Sequence, residues 1–102
     1  MQDFYNYDDE KSQTTAGTPQ DTDTRMQKMF RRGNELIIWA IDHLRKIAPV
    51  EVCYVQGNHD YKMSYFTLEF VNAWYRNIDG VNVLMSIKPR QYFEFGNCMI
   101  GY

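Results

Sequence analysis

An apolar run, Val50 to Val55, follows a long stretch of helical periodicity and leads into Gly57-Asn58-His59-Asp60. This succession of helix, stop, strand and glycine turn constrains the chain more than its composition does. Met26, Met29, Phe30, Gly33, Ile37, Ala40, Ile41, Leu44 and Ile47 recur at helical spacing and predict one buried stripe. The helix is expected to start near Thr22 to Thr24, where Asp and Thr side chains can cap free amides, and to run to Ile47 or Ala48 before Pro49 stops it. In open α/β sheets, side chains at the carboxyl end of a strand project into the crevice above the sheet. Gly57 there frees the backbone to turn sharply, so that an amide, an imidazole and a carboxylate can converge. An amide oxygen and a carboxylate suit hard divalent cations, while imidazole ligates a metal or moves a proton.

Set after a strand, Gly57-Asn58-His59-Asp60 resembles the central signature of the calcineurin-like metallophosphoesterases. The resemblance implies that Asn58 ligates one metal of a dinuclear pair and that His59 sits beside the scissile phosphate as proton donor or charge stabiliser. Asp3-Phe4-Tyr5-Asn6 matches the Asp-x-x-Asn part of a second family motif, with Gln2 where the family carries glycine. The implied role of Asp3 is to bridge the two metals; the bland reading is a solvated acid in a frayed terminus, as Asp8, Asp9 and Glu10 look. Asp60 is expected to orient the loop or His59 rather than to bind metal. The implied cofactor is a pair of divalent cations, Mn²⁺, Fe or Zn²⁺, that polarises phosphoryl oxygens and lowers the pKa of a bridging water.

The family's Asp-x-His and Gly-His-x-His motifs have no match, and the only histidines are His43 and His59. The chain therefore supplies at best two ligands of such a site. It closes on the apolar stretch Asn97 to Tyr102 and reads as the middle of a larger domain, residues 1–102 forming one partial unit. The expected fold class is α/β, a fragment of a calcineurin-like αββα sandwich with a mixed sheet and helices. One parallel strand-helix-strand unit is expected around the first helix, and a hairpin at the C-terminal end. The expected function is metal-dependent hydrolysis of phosphate mono- or diesters. Two rivals stand beside it: a non-catalytic α/β interaction module in which the tetrapeptide is only a turn, since turn chemistry alone favours Gly, Asn and Asp, and an inactive truncated remnant.

Residues 11–24 are polar and aperiodic, which reads as a solvated connection or as a substrate loop over the site. Ser64 is expected to cap a second helix from Tyr65 to about Tyr75, with Phe66, Leu68, Phe70, Val71 and Trp74 on or near its apolar face. Strands are expected over Val81 to Ile87, Gln91 to Phe95 and Cys98 to Tyr102, with Gly96-Asn97 as a tight hairpin turn. Aromatic residues, 16% of the chain, suggest a base-stacking surface, though periodic positions account for most of them as core. Arg31, Arg32, Arg45 and Lys46 fall on the helix's polar side, and His43 reads as a surface histidine.

With a net charge of −2 the chain has no electrostatic footprint for nucleic acid, although metals can attract phosphate instead. A phosphate ester is the expected substrate, and the oligomeric state is not legible. Cys53 and Cys98 lack metal-binding spacing and are expected at buried strand positions. The longest apolar run, Leu36 to Ile41, spans six residues, so no membrane segment is expected, and a cytoplasmic, reducing setting is the default.

Overall fold

The computed structural model describes residues 3–22 and 25–102. The elements run α1 (Met26–Leu44), β1 (Val50–Cys53), α2 (Tyr61–Tyr75), β2 (Val81–Leu84), β3 (Tyr92–Phe95) and β4 (Cys98–Gly101). β1 and β2 pair in parallel, with Val50 opposite Val81 and Cys53 opposite Leu84. β3 and β4 form an antiparallel hairpin closed by Gly96-Asn97, with Gly96 at φ +57, a left-handed conformation that glycine adopts without steric cost. The chain is thus of the α/β class, two helices with small parallel and antiparallel strand pairs. No helix among the described residues is long and apolar enough to cross a membrane.

The parallel unit is β1-α2-β2, so it encloses α2 and not α1 as expected. Before α1 the described chain carries bends and turns instead of a strand, and Asp3, Asn6 and Ser12 take φ of 53, 63 and 56. Left-handed residues break the even pleat that a ladder needs.

The main core lies between the helices and the parallel pair. Ile37 and Ile41 of α1 meet Val71 and Tyr75 of α2, with Phe4, Val50, Val52, Val81 and Val83 packed around them. A second cluster of Tyr5, Tyr7 and Met63 anchors the N-terminal segment against Met26, Met29 and Phe30. Tyr5 ties the two together: its hydroxyl donates to Asn34 Oδ1 at 3.1 Å and accepts from Thr67 Oγ1 at 3.0 Å. Its ring lies directly over Gly33, where a Cβ would come within 2.7 Å of the hydroxyl oxygen and 2.8 Å of Cζ.

The start expected for α1 falls partly on Asp23 and Thr24, which lie outside the described residues, as do Met1 and Gln2. Arg25 occupies the N-cap position without a side-chain cap, and Thr22 instead pairs its hydroxyl with Ser12 Oγ at 2.8 Å. Past Leu44 the helix loosens into turns, with Ile47 N–H donating to Leu44 O at 2.9 Å. Leu44 and Ile47, expected in the buried stripe, are 55% and 85% exposed, because this segment is already reversing the chain towards β1. The two basic pairs behave as expected: Arg31, Arg32, Arg45 and Lys46 are exposed, and Arg32 and Arg45 pair with Glu35 and Asp42 on their own helix. His43 is exposed, with Nδ1 2.7 Å from Trp39 O.

α2 begins four residues earlier than expected, and Ser64 is not its cap; the Ser64 hydroxyl donates to Tyr61 O inside the helix. Leu68 and Val71 are buried, but Phe66 and Trp74 point to solvent. Neither cysteine is fully buried: Cys53 is half-buried and Cys98 exposed, since both faces of the β3-β4 hairpin are open where Cys98 sits.

Tyr75, 2% exposed, shows how this core responds to pH. Its hydroxyl lies 3.1 Å from Asp42 Oδ1 and 3.2 Å from Ile38 O, and burial, reinforced by the Asp42 carboxylate, pushes its pKa up to about 12. A group with a raised folded-state pKa contributes stability that is complete below its unfolded value near 10 and is lost as pH rises through about 12. Tyr75→Phe is therefore expected to cost about 1 kcal/mol at neutral pH and to remove this residue's share of the alkaline loss. Denaturation midpoints at pH 8 and pH 11 check it: an unchanged difference between the two would contradict the assignment.

Candidate functional site

β1 delivers the chain to Gly57, and the N-terminal segment presses against that point. A Cβ on Gly57 would overlap Asp60 Oδ1 and come within 2.9 Å of Asp3 Oδ1 and 3.1 Å of Asp3 N. Gly57 is not among the residues of positive φ. Close approach of two segments, not a left-handed turn, is what requires glycine here.

Two carboxylates clasp the segments to each other. Asp3 Oδ1 accepts from His59 N–H at 2.9 Å, and Asp60 Oδ2 accepts from Tyr5 N–H at 2.9 Å. Asp60 thus orients the loop by holding the N-terminal segment, and it makes no bond to the His59 ring. Asp60 is wholly buried, and its Oδ1 has no hydrogen-bond partner among the described residues. Burial raises the Asp60 pKa, the Tyr5 amide opposes this, and the nearby Asp3 and Asp8 add to it.

The His59 ring meets Asn6, with Nδ1 3.0 Å from Asn6 Oδ1. Asn6 donates its Nδ2 to Gln20 Oε1 at 3.0 Å, which turns the amide oxygen towards the imidazole. In the tautomer with the proton on Nδ1, that nitrogen donates to Asn6 Oδ1 and Nε2 lies outside this bond. Asn58 is exposed, and its amide makes no hydrogen bond among the described residues. The structure thus brings Asp3 and His59 together and leaves Asn58 beside them with its oxygen available.

Asp8 was expected as a solvated acid in a frayed terminus; it is 5% exposed and built into the site. Its Oδ1 accepts from Lys62 N–H at 2.7 Å and Met63 N–H at 2.9 Å, capping α2 from more than fifty residues away. Thr15 completes the cap: its Oγ1 accepts from Tyr61 N–H at 3.1 Å and donates to Asp8 Oδ2 at 3.1 Å. With Ser64 N–H donating to Asp60 O, all four leading amides of α2 are satisfied.

Residues 11–22 are likewise more than a solvated connection. Gln13 bridges Pro19, Thr14 is buried, Asp9 Oδ1 accepts from Lys11 and Gln13 N–H, and Thr15 N–H donates to His59 O at 3.1 Å. The loop is folded on itself and docked on the motif. Asn6, Asp8 and Thr15 are the site residues that sequence reasoning left without a role. Asn6 stood in the Asp-x-x-Asn string that drew attention to Asp3, whereas nothing local to Asp8 or Thr15 betrays a cap on a helix so far along the chain.

The Asp3 carboxylate and the Asn58 amide oxygen are hard oxygen donors of the kind that suits divalent cations. Among the described residues no group of three or more His, Cys, Asp or Glu side chains is gathered to hold a metal. No protein-family model, curated protein or solved structure matches the chain.

Proposed function

We propose that the chain carries part of the active site of a metal-dependent phosphoesterase of the calcineurin-like kind, within an αββα sandwich. The observation that supports this best is the meeting of the two short strings that resemble the family. Asp3 and Asn6, from the first, both bond His59, from the second, across more than fifty residues of chain. A mere strand-to-helix turn has no need of a second segment reaching the imidazole of its third residue.

In this reading Asp3 and Asn58 hold cations, and the cation pair, when bound, supplies charge to the phosphoryl oxygens and a hydroxide nucleophile near neutral pH. The amide of Asn58 contributes an oxygen without a further negative charge to repel that nucleophile. Asn6 fixes the imidazole with Nδ1 protonated, so that His59 exchanges its second proton at Nε2. A proton there neutralises charge on the phosphate or on the leaving oxygen as the ester bond breaks. Asp60, behind Gly57, holds the Tyr5 amide and so keeps the segment carrying Asp3 and Asn6 in register with His59.

Two donors do not hold a cation pair, so residues 1–102 alone are expected to show negligible turnover with or without Mn²⁺. The domain in which the ligand set is complete should hydrolyse a chromogenic phosphomonoester or diester and lose that activity on chelation. Robust metal-dependent turnover by residues 1–102 alone would refute the partial-site assignment. Chelator-insensitive turnover, or none with any of the three metals in the complete domain, would refute the hydrolase.

A further inference from the structure

A groove lined by aromatic rings opens beside the candidate site, at the same end of β1. Tyr54 follows the strand directly, Tyr61 opens α2 two residues after His59, and Tyr65 and Phe66 form the next turn. The groove encloses about 270 Å³, less than the roughly 300–1,000 Å³ of sites for drug-sized ligands. A space of this size accepts a single ring system. Two of its rings are fixed from behind: Tyr54 is buried, its hydroxyl 3.4 Å from Ser64 Oγ, and Tyr65 donates to Glu69 Oε1 at 2.6 Å. Tyr61 and Phe66 are open to solvent, 42% and 53% exposed. A planar ligand can lie on such faces without reorganising them.

The polar groups of the groove select among planar ligands. Gln56, next to Gly57, offers an amide donor and acceptor for the edge of a heterocycle, and Lys62 offers an ammonium group. Lys62 has no ion-pair partner among the described residues. The α2 N-terminus, a common seat for phosphate, is closed here because Asp8 and Thr15 occupy its amides. A phosphate near this groove has the Lys62 ammonium to turn to.

We infer that the groove is a nucleobase pocket, and that the phosphoester presented to His59 is that of a nucleotide. Base-aromatic stacking supplies affinity without demanding one particular base, because every base has a π face. The phosphate-ester half of the inference rests on the hydrolase reading above; the pocket itself does not.

The test uses metal-free protein in the presence of a chelator, titrated with AMP, with ribose 5-phosphate and with inorganic phosphate, and followed by NMR. AMP should bind about tenfold or more tightly than ribose 5-phosphate, with shifts centred on Tyr61, Tyr65, Phe66 and Ile87. Tyr61→Ala should weaken AMP by about fivefold to tenfold and leave ribose 5-phosphate unchanged. Phe66→Ala provides a second exposed position, should Tyr61→Ala disturb the start of α2. Equal affinity for AMP and ribose 5-phosphate, no AMP binding, or wild-type AMP binding in both variants overturns the pocket. Preferential AMP binding by a complete domain that hydrolyses no phosphoester with any metal upholds the pocket and removes the hydrolase.

Discussion

Replacing His59 by alanine in the complete domain is expected to lower turnover by about 10²-fold or more while leaving the metal content unchanged. Asn58→Ala is expected to do the reverse in kind, lowering the affinity for one metal, because in the proposed role its amide oxygen is the ligand that the substitution removes. The two variants separate a proton donor from a ligand. Leaving groups of different pKa sharpen the separation: a good leaving group needs little protonation as the bond breaks, so the His59→Ala defect should shrink towards it. Asn6→Ala should carry part of the His59 defect, since it removes the Nδ1 partner at 3.0 Å without touching Nε2. Metal analysis alongside turnover decides the matter. Full activity in both variants reduces the tetrapeptide to a turn, and metal loss in His59→Ala with none in Asn58→Ala reverses the roles.

What could be read from the sequence was whatever local pattern dictates. The apolar period of α1, the strand before Gly57 and the Gly96-Asn97 hairpin follow from spacing and turn chemistry within a short window, and all are present, whereas α1 ends at Leu44, before the stop expected at Pro49. The failures came where two local answers were equally good. α2 carries apolar residues on both sides, so period alone cannot decide whether Leu68, Val71 and Tyr75 or Phe66 and Trp74 face the core. Packing decides it, because Val71 and Tyr75 lie against α1 and the parallel strand pair. The same blindness hid the parallel partner of β1. A strand end expected before α1 suggested a crossover about that helix, but the segment before α1 is held by the Asp60 and Asn34 side chains and not by a ladder.

The site divides in the same way. Gly57, Asn58, His59 and Asp60 are contiguous, and so they were legible. Asp3 was legible only as a resemblance, and its contact with His59 is a product of the fold. Asp8 was misread because three consecutive acids after a polar start resemble a solvated tail, and the amides that need Asp8 belong to residues 62 and 63. A cap supplied from outside its own helix leaves no mark in the sequence around that helix.

That remote cap should be the most costly polar group in the fold to remove. Asp8→Ala leaves the Lys62 and Met63 amides and the Thr15 hydroxyl without their acceptor, in a place from which water is largely excluded. Hydrogen bonds to a charged group contribute about 1.5–3 kcal/mol, and a capping residue alone about 0.5–2 kcal/mol, so a loss of about 3 kcal/mol is expected. Asp8→Asn keeps one acceptor for the two amides but gives up the negative charge at the positive end of α2, and should cost about 1 kcal/mol. Thr15→Ala should be strongly non-additive with Asp8→Ala, because the second change removes a partner already lost. Chemical denaturation gives the energies, and hydrogen exchange locates them: the Lys62 and Met63 amides should lose protection ahead of the rest of α2. Because Thr15 also holds His59 O, loosening this cap should weaken the whole docked loop, and the His59 amide should exchange faster as well. An Asp8→Ala protein within about 0.5 kcal/mol of wild type, with those amides still protected, would show that α2 is held by its apolar face alone.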